Sequence, residues 1–122
     1  MRVEVAQLPV SLSADRVQAI IDARQMRAKF LDSNLFADPA WSILLDLYRA
    51  SLAQHSISTT SLCFGAGVPL TTALRWLVAL EERGLAGRSQ DPLDRRRQFV
   101  SLTQDGMSAM SRYFSAVAAL PL

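Results

Sequence analysis

The chain has 122 residues, a length typical of one domain, and 50% of them are hydrophobic, which is enough to build a core. No apolar run reaches the length of a membrane-spanning helix, and the N-terminus has no signal-peptide pattern, so we expect a cytoplasmic protein. The single cysteine, Cys63, excludes an intramolecular disulfide, and with one histidine the chain is poor in zinc ligands. We therefore expect no metal and no cofactor.

The formal net charge of +2 does not by itself indicate nucleic-acid binding. Lys29 is the only lysine, and the other basic residues are arginines. The guanidinium group suits bidentate contacts to phosphate and to guanine. A bias towards arginine in a GC-rich genome explains the same excess equally well, so composition leaves both interpretations open.

The first helix is predicted to follow an N-terminal arm, residues 1–12, which is too apolar for a fully solvated tail. Ser13 is a suitable N-cap, and Asp15 lies in the first turn, where the helix dipole favours an acid. We expect this helix to end at about Asn34. Its core-facing residues follow three-and-four spacing: Val17, Ile20, Ile21, Arg24, Ala28, Leu31 and Leu35.

A second helix is predicted to start at Asp38-Pro39, with Asp as the cap and Pro at the first helical position. Its apolar face comprises Trp41, Leu44, Leu45, Tyr48 and Leu52. The polar stretch that follows contains one apolar residue, Ile57, on which a very short strand can be centred.

Two further helices are predicted around a tight turn. Ser58 or Thr59 caps a short helix from Thr60 to Gly65. Ala66-Gly67-Val68 forms the turn, because Gly can take a positive φ. A longer helix then runs from Pro69 to Arg83 and ends at a glycine cap. Two helices joined in this way make a helix-turn-helix.

The stretch from Leu85 to Thr103 is predicted as two strands joined by a charged tip. Asp91-Pro92 starts the turn, and the arginines 95–97 follow it directly. A last helix, capped by Thr103, then runs to about Ala119. Its apolar stripe consists of Met107, Met110, Phe114, Val117 and Leu120. An arginine-tipped hairpin after a helix is typical of a winged-helix nucleic-acid binder, although a solvated turn has the same composition.

The chain from about Asp38 to Tyr113 resembles the MarR family of winged-helix transcription regulators. The residues that carry the resemblance are the helix Pro69–Leu85 with its ending Leu80-Glu-Glu-Arg-Gly-Leu85, Arg88, Asp91-Pro-Leu-Asp-Arg-Arg96, and Leu102-Thr-Gln-Asp-Gly106. The resemblance implies a mainly α fold with a small β-hairpin (α+β), a winged helix-turn-helix. We expect one domain, residues 13–122, in which residues 13–35 form a dimerisation helix.

The resemblance also implies a homodimer that binds double-stranded DNA. Two departures stand out: only one helix follows the wing, and Val78 and Ala79 occupy positions where the family commonly has charged residues. Ligand pockets of the family lie between the dimerisation helices and the winged body. No matching polar cluster is visible in the sequence, so a small-molecule effector is not identified.

The candidate readers of DNA lie on the longer motif helix. If Ala73, Trp76, Leu77 and Leu80 face the core, then Thr71, Thr72, Arg75 and Ala79 face outward. Arg75 is the candidate for a guanine contact, and Thr71 and Thr72 for a thymine methyl or a phosphate. The structural alternative is that both threonines belong to the first helical turn and that Arg75 pairs with an acid.

The candidate backbone contacts come from the wing and from the first motif helix. The wing arginines, Arg95, Arg96 and Arg97, suit phosphates or a narrow minor groove. Arg88 lies at the wing base within reach of a phosphate, and Asp94 is expected to shape the tip by pairing with an arginine. Thr60 and Ser61 can donate to phosphates, although helix capping is an equally good role. These two sets complete the candidate interface.

Three other residues have a functional and a structural interpretation. Trp41 and Trp76 could stack on single-stranded bases, but both fall on apolar helix faces, which favours core packing. Cys63 could be a redox thiol, but its position between two apolar residues favours a buried small hydrophobe. His55 is expected at the surface.

The leading hypothesis is a sequence-specific, double-stranded DNA-binding transcription regulator. The alternative is a winged-helix module that binds another protein and has no strong DNA affinity, which the modest charge and the apolar pair Val78-Ala79 favour. An enzyme is not expected, because the chain has no Gly-rich phosphate loop, no nucleophile motif and a single histidine.

Overall fold

The computed structural model describes residues 13–119 and shows five α-helices and a three-stranded antiparallel sheet. The helices are α1 (Ala14–Met26), α2 (Pro39–Ala53), α3 (Thr59–Phe64), α4 (Leu70–Glu82) and α5 (Gln104–Ala118), and the strands are β1 (Ile57–Ser58), β2 (Ala86–Asp91) and β3 (Asp94–Leu102). The predicted order of helices and strands is confirmed. The N-terminal arm and Leu120 lie outside the described residues.

Helix α1 begins as predicted but ends earlier. The Ser13 side chain accepts a hydrogen bond from the Arg16 N–H at 3.2 Å. The helix stops at Met26, not near Asn34, and two 3₁₀ turns follow at Arg27–Lys29 and Ser33–Phe36. After Met26 the backbone closes a 3₁₀ turn, in which the Phe30 N–H donates to the Arg27 carbonyl at 3.1 Å. The predicted helix face therefore does not continue.

The early end of α1 changes the environment of its last predicted core residues. Leu31 is 58% exposed and Leu35 is 69% exposed. In the 3₁₀ segment, Arg27 donates from Nε to the Arg24 carbonyl at 2.8 Å and places its guanidinium 4.2 Å from the Phe36 ring centre. The cation–π contact joins the two 3₁₀ turns of the link between α1 and α2.

Helix α2 is the central helix, with apolar side chains around most of its circumference. Ile43 and Leu47 pack into the winged body, which consists of α3, α4 and the sheet. Leu45 and Tyr48 instead pack against α1 and α5. The predicted apolar face included Leu45 and Tyr48 but not the buried residues Ile43, Leu47 and Ala50. Asp38 holds the N-cap position, but its carboxylate makes no capping bond and instead lies 3.9 Å from Arg24 Nη2.

The sheet closes the winged body around the helix-turn-helix. β3 is central: it pairs with β2 in the hairpin and with β1 through Ile57 and Val100. The short strand at Ile57 is confirmed, and Ser58 is the cap of α3, accepting from the Ser61 N–H at 3.2 Å. The core beneath the sheet includes Leu62, Cys63, Ala73, Leu77, Leu80 and Val100.

Trp76 does not face this core, contrary to the prediction. Its side chain is 43% exposed, whereas Ala73 and Leu77 are fully buried. The three buried residues of α4, Ala73, Leu77 and Leu80, already form a narrow stripe. At 100° per residue, Trp76 is rotated about 40° from Leu80, about 60° from Ala73 and about 100° from Leu77, all in the same sense, so it lies at the edge of the stripe.

Trp41 packs, as predicted, against a second cluster of buried residues, which comprises Val17, Leu45, Tyr48, Met110 and Phe114. Its ring lies 4.9 Å from that of Tyr113 in an edge-to-face arrangement, and Tyr48 stacks on Phe114 at 5.4 Å. These contacts attach α5 to α2. Met110 is also buried here, which confirms its packing role.

Thr103 joins α5 to the end of α4. Its Oγ1 donates to the Gly84 carbonyl at 2.6 Å and accepts from the Gly106 N–H at 3.0 Å, and its own N–H donates to the Leu85 carbonyl at 3.0 Å. Gly84 has φ of 74°, which a glycine adopts without strain at a helix C-terminus.

Within residues 13–119, no helix is long and apolar enough to span a bilayer.

Candidate nucleic-acid interface

The outward face of α4 carries the candidate readers. Since Ala73, Leu77 and Leu80 are buried, the opposite side of the helix presents Thr71 and Arg75, both exposed. Val78 and Glu82 continue the same face towards the C-terminal end, whereas Thr72 and Ala79 lie at its edge and are partly buried. Among residues 13–119, neither a hydrogen bond nor an ion pair engages the Arg75 guanidinium.

The wing turn is built on Asp91. This residue is only 6% exposed; its Oδ1 accepts from the Leu93 N–H at 2.8 Å and its Oδ2 lies 3.4 Å from Arg97 Nε. An Asp that bonds the backbone two residues ahead is the turn predicted from Asp91-Pro92, which is confirmed. Arg97 therefore braces the turn and also lies over the Phe99 ring, at 5.3 Å.

A second carboxylate, Asp94, organises the other side of the tip. Its Oδ1 accepts from the Arg96 N–H at 3.0 Å and from Arg96 Nε at 3.2 Å. The hydrogen bond from the Arg96 side chain lowers the pKa of Asp94, and the bond from the Arg96 backbone N–H lowers it further. Arg95 differs from its two neighbours, because no side chain between residues 13 and 119 pairs with its guanidinium.

Arg88 forms a bidentate ion pair with Glu81. Its Nε and Nη2 each donate to a Glu81 carboxylate oxygen at 3.0 Å, and both side chains are about three-quarters buried, with 26% and 25% exposure. The pair ties the base of the wing to α4. Sequence patterns did not indicate it, because the two residues belong to different elements and share no local motif.

We expect the Arg88–Glu81 pair to contribute a coupling energy of about 1 kcal/mol, at the upper end for partly exposed pairs, because its geometry is bidentate. A double-mutant cycle with Arg88→Ala, Glu81→Ala and the double variant, measured by urea unfolding, gives this value. Arg16→Ala, on the exposed side of α1, is the control. Strictly additive effects would contradict a direct interaction.

An open cleft of about 470 Å³ brings two separate stretches of the chain together. It is lined by Ser58, Thr59, Thr60, Arg95, Arg96, Arg97 and Gln98. Thr59 Oγ1 donates to the Gln98 carbonyl at 3.4 Å, and Ser58 Oγ donates to Ser61 Oγ at 3.0 Å. Thr60 is exposed at the cleft. Of the α3 candidates, Thr60 thus borders the same surface as the wing arginines.

Another cavity, of about 340 Å³, lies between α1 and the winged body. Its polar lining includes Arg24, Arg27 and Asp46, and burial raises the pKa of the Asp46 carboxyl, with Arg49 opposing the rise. The sequence showed no polar cluster for this place. These side chains come from different elements, α1 with its 3₁₀ extension and α2, and only the fold brings them together.

Cys63 is fully buried in the winged-body core. Burial raises the pKa of its thiol, and the charge of Arg88 only partly offsets this rise. A reactive thiol needs access and a lowered pKa. The prediction of a buried small hydrophobe is confirmed.

Comparison with known proteins gives structural likenesses. Staphylococcus aureus MepR in its DNA-binding conformation superimposes with a TM-score of 0.58 and 20% identity, over 83% of this chain and 72% of MepR. Reduced AbfR bound to DNA gives 0.52 and 18%, over 83% and 67%. A candidate DNA-binding protein of Ralstonia eutropha JMP134 gives 0.52 and 30%, over 63% of this chain and 96% of its own. No family profile and no curated protein matches the sequence.

These likenesses and the architecture define a winged helix-turn-helix protein. The ordered motifs from Pro69 to Gly106 occupy the second motif helix, the wing and the start of α5 on that fold. The chain belongs to the MarR family.

Proposed function

We propose that this protein is a sequence-specific, double-stranded DNA-binding transcription regulator. The observation that carries the proposal is the exposed pair Thr71 and Arg75 on the outward face of α4, where Arg75 has no partner among residues 13–119. A helix in the major groove reads bases with such side chains, and arginine is suited to guanine O6 and N7. Thr71 and Thr72 then contact a thymine methyl or a phosphate.

The charge of the wing supports the proposal. Asp91 and Asp94 are bonded by Arg97 and Arg96, so neither carboxylate remains as an isolated negative charge facing phosphates. Arg95 is the wing arginine available for a phosphate or for the minor groove. Arg96 and Arg97 add positive charge there while they hold the tip. The wing is thus a rigid cationic element, suited to position the helix on the duplex.

Two further contacts to the DNA backbone follow from the positions of the remaining candidates. Arg88 uses two of its five N–H donors on Glu81, so three remain for a phosphate. Thr60 lines the cleft beside the wing arginines, and the exposed Ser61 follows it on α3. Contacts of this kind fix the register of the protein on DNA and carry no sequence information.

The regulator would act as a homodimer, with residues 13–35 in the dimer interface and two half-sites about one helical turn apart. MepR and AbfR are the likenesses that support a DNA partner. The cavity between α1 and the winged body, with Arg24, Arg27 and Asp46, would receive a small-molecule effector. Gly65, Ala66 and Gly67, at the turn between α3 and α4, also line this cavity.

The decisive experiment is fluorescence anisotropy on random-sequence and promoter duplexes across a salt series. We expect affinity to fall steeply with salt, because phosphate contacts release counterions. Arg75→Ala should lose about 1–3 kcal/mol of discrimination between the preferred duplex and the others.

Arg112→Ala is the matched control, since it removes an exposed arginine from α5, which packs against α2 and β3. It should keep the preference. Tight binding that is equally indiscriminate in wild type and Arg75→Ala would reject the role of Arg75. No binding by the folded wild type near physiological salt would reject DNA regulation.

A second candidate function is a protein-interaction module. The observation that favours it is the set of exposed apolar side chains on α3 and α4: Phe64 at 77%, Leu70 at 44%, Trp76 at 43% and Val78 at 41%. Large exposed apolar residues often mark protein contacts when they form one patch. In the experiment above, this function predicts a folded protein without salt-dependent DNA affinity.

A further inference from the structure

The tip of the wing ends in an apolar side chain. Leu93 is 93% exposed, more than any other large hydrophobic residue between positions 13 and 119. It stands between Pro92 and Asp94, at the furthest point of the hairpin. An apolar group so placed contributes nothing to the core, and its burial requires a partner molecule.

The turn holds Leu93 in a defined position. Its N–H donates to Asp91 Oδ1 at 2.8 Å, and Asp91 is itself buried and braced by Arg97 at 3.4 Å. The ring of Pro92, the residue before Leu93, fixes the φ of Pro92 itself. Little backbone entropy therefore remains to be lost at the tip when the Leu93 side chain meets a partner.

The charges next to Leu93 indicate what that partner is. Arg95, Arg96 and Arg97 follow within four residues, and the acids on either side of Leu93 are bonded by two of them. An apolar apex on a cationic hairpin complements an anionic surface with an apolar interior. The minor groove of DNA has this character, since phosphates line it and stacked bases lie beneath.

We propose, on the basis of the DNA-binding function above, that Leu93 is a wedge that enters the minor groove and bends the duplex. Proteins that insert leucine between base pairs partly unstack one step and kink the DNA by about 20–90°. Arg95 holds a phosphate beside the opened step, while Arg96 and Arg97 add positive charge and brace the tip that carries Leu93. Pyrimidine–purine steps unstack most easily, so the site beneath the wing carries a TA or CA step.

The test measures bending separately from affinity. A 30-base-pair duplex, selected by the wild-type protein from a random pool, carries a donor and an acceptor dye at its two ends. Wild type should shorten the end-to-end distance, consistent with a bend of about 20° or more. Leu93→Ser should reduce that bend by more than half, whereas Leu93→Ile, which keeps an apolar wedge, should bend the duplex as wild type does.

Each other outcome overturns the wedge. A duplex that wild type binds without bending, or that wild type and Leu93→Ser bend equally, rejects the wedge but leaves the DNA-binding function standing. Absence of DNA binding by wild type rejects both. Binding to phosphatidylserine vesicles that Leu93→Ser abolishes, with an unbent duplex, would assign the tip to a membrane surface instead.

Discussion

Replacing Gly106 by alanine should lower the free energy of unfolding by about 3 kcal/mol, the upper part of the range for overpacked sites. A Cβ at this position would overlap the Leu85 carbonyl oxygen and would lie 3.1 Å from the Leu85 carbonyl carbon and 3.2 Å from Leu102 Cδ2. Alanine normally stabilises a helix by about 1 kcal/mol relative to glycine. Here the clash is with backbone, which cannot rotate away, so the steric term decides the sign.

Urea unfolding of Gly106→Ala checks this expectation, and Gly87→Ala is its control. Gly87 lies in β2, and a Cβ there would meet no atom within 4 Å. We expect Gly87→Ala to change the unfolding free energy by less than about 1 kcal/mol. If both variants are equally stable, α5 does not approach Leu85 as closely as the structure shows.

The second large effect is expected for Leu77→Ala, which should cost about 2–5 kcal/mol. Leu77 is fully buried: its side chain has 0% solvent exposure and packs in the winged-body core beneath β3. Truncation removes buried apolar surface and leaves a cavity, because the surrounding sheet and helices relax only partly.

Val78→Ala tests whether the loss of stability in Leu77→Ala comes from the burial of the side chain and not merely from truncating an apolar residue of α4. Val78 is the next residue on α4 and is 41% exposed. Its truncation should change the midpoint of thermal unfolding little, since alanine has the better helix propensity and little buried surface is lost. Equal losses for the two variants would contradict the assignment of the buried stripe.

The winged body was predictable because local rules set most of its boundaries. Gly67 and Gly84 have positive φ, Asp91-Pro92 forms the turn, and Thr103 caps α5, each in the place that the sequence indicated. Such signals depend on neighbours within a few residues. Order and type of the elements followed from them.

The errors arose where periodicity alone was used. The spacing that continued the first helix to Leu35 did not account for the 3₁₀ turns after Met26. The same approach placed Trp76 in the core, although it lies at the edge of the buried stripe. A hydrophobic pattern shows which residues can be buried, but the packing partners decide which are.

The contacts that organise the candidate interface were invisible for a different reason. The pairing of Arg88 with Glu81 and the cavity lining around Asp46 join residues on separate elements. Their geometry depends on the tertiary fold, and no single stretch of sequence encodes it. The candidate readers Thr71 and Arg75, by contrast, follow from helix phase once one buried residue is known.

The hydroxyl of Thr103 gives the molecule a mechanical link. One side chain bonds both the carbonyl that ends the second motif helix, at Gly84, and the first turn of α5, at Gly106. Motion of α5 against the winged body must therefore carry the C-terminal end of α4 with it or break these bonds. While both bonds are intact, a displacement of α5 therefore also moves the C-terminal end of α4, the helix that bears Arg75.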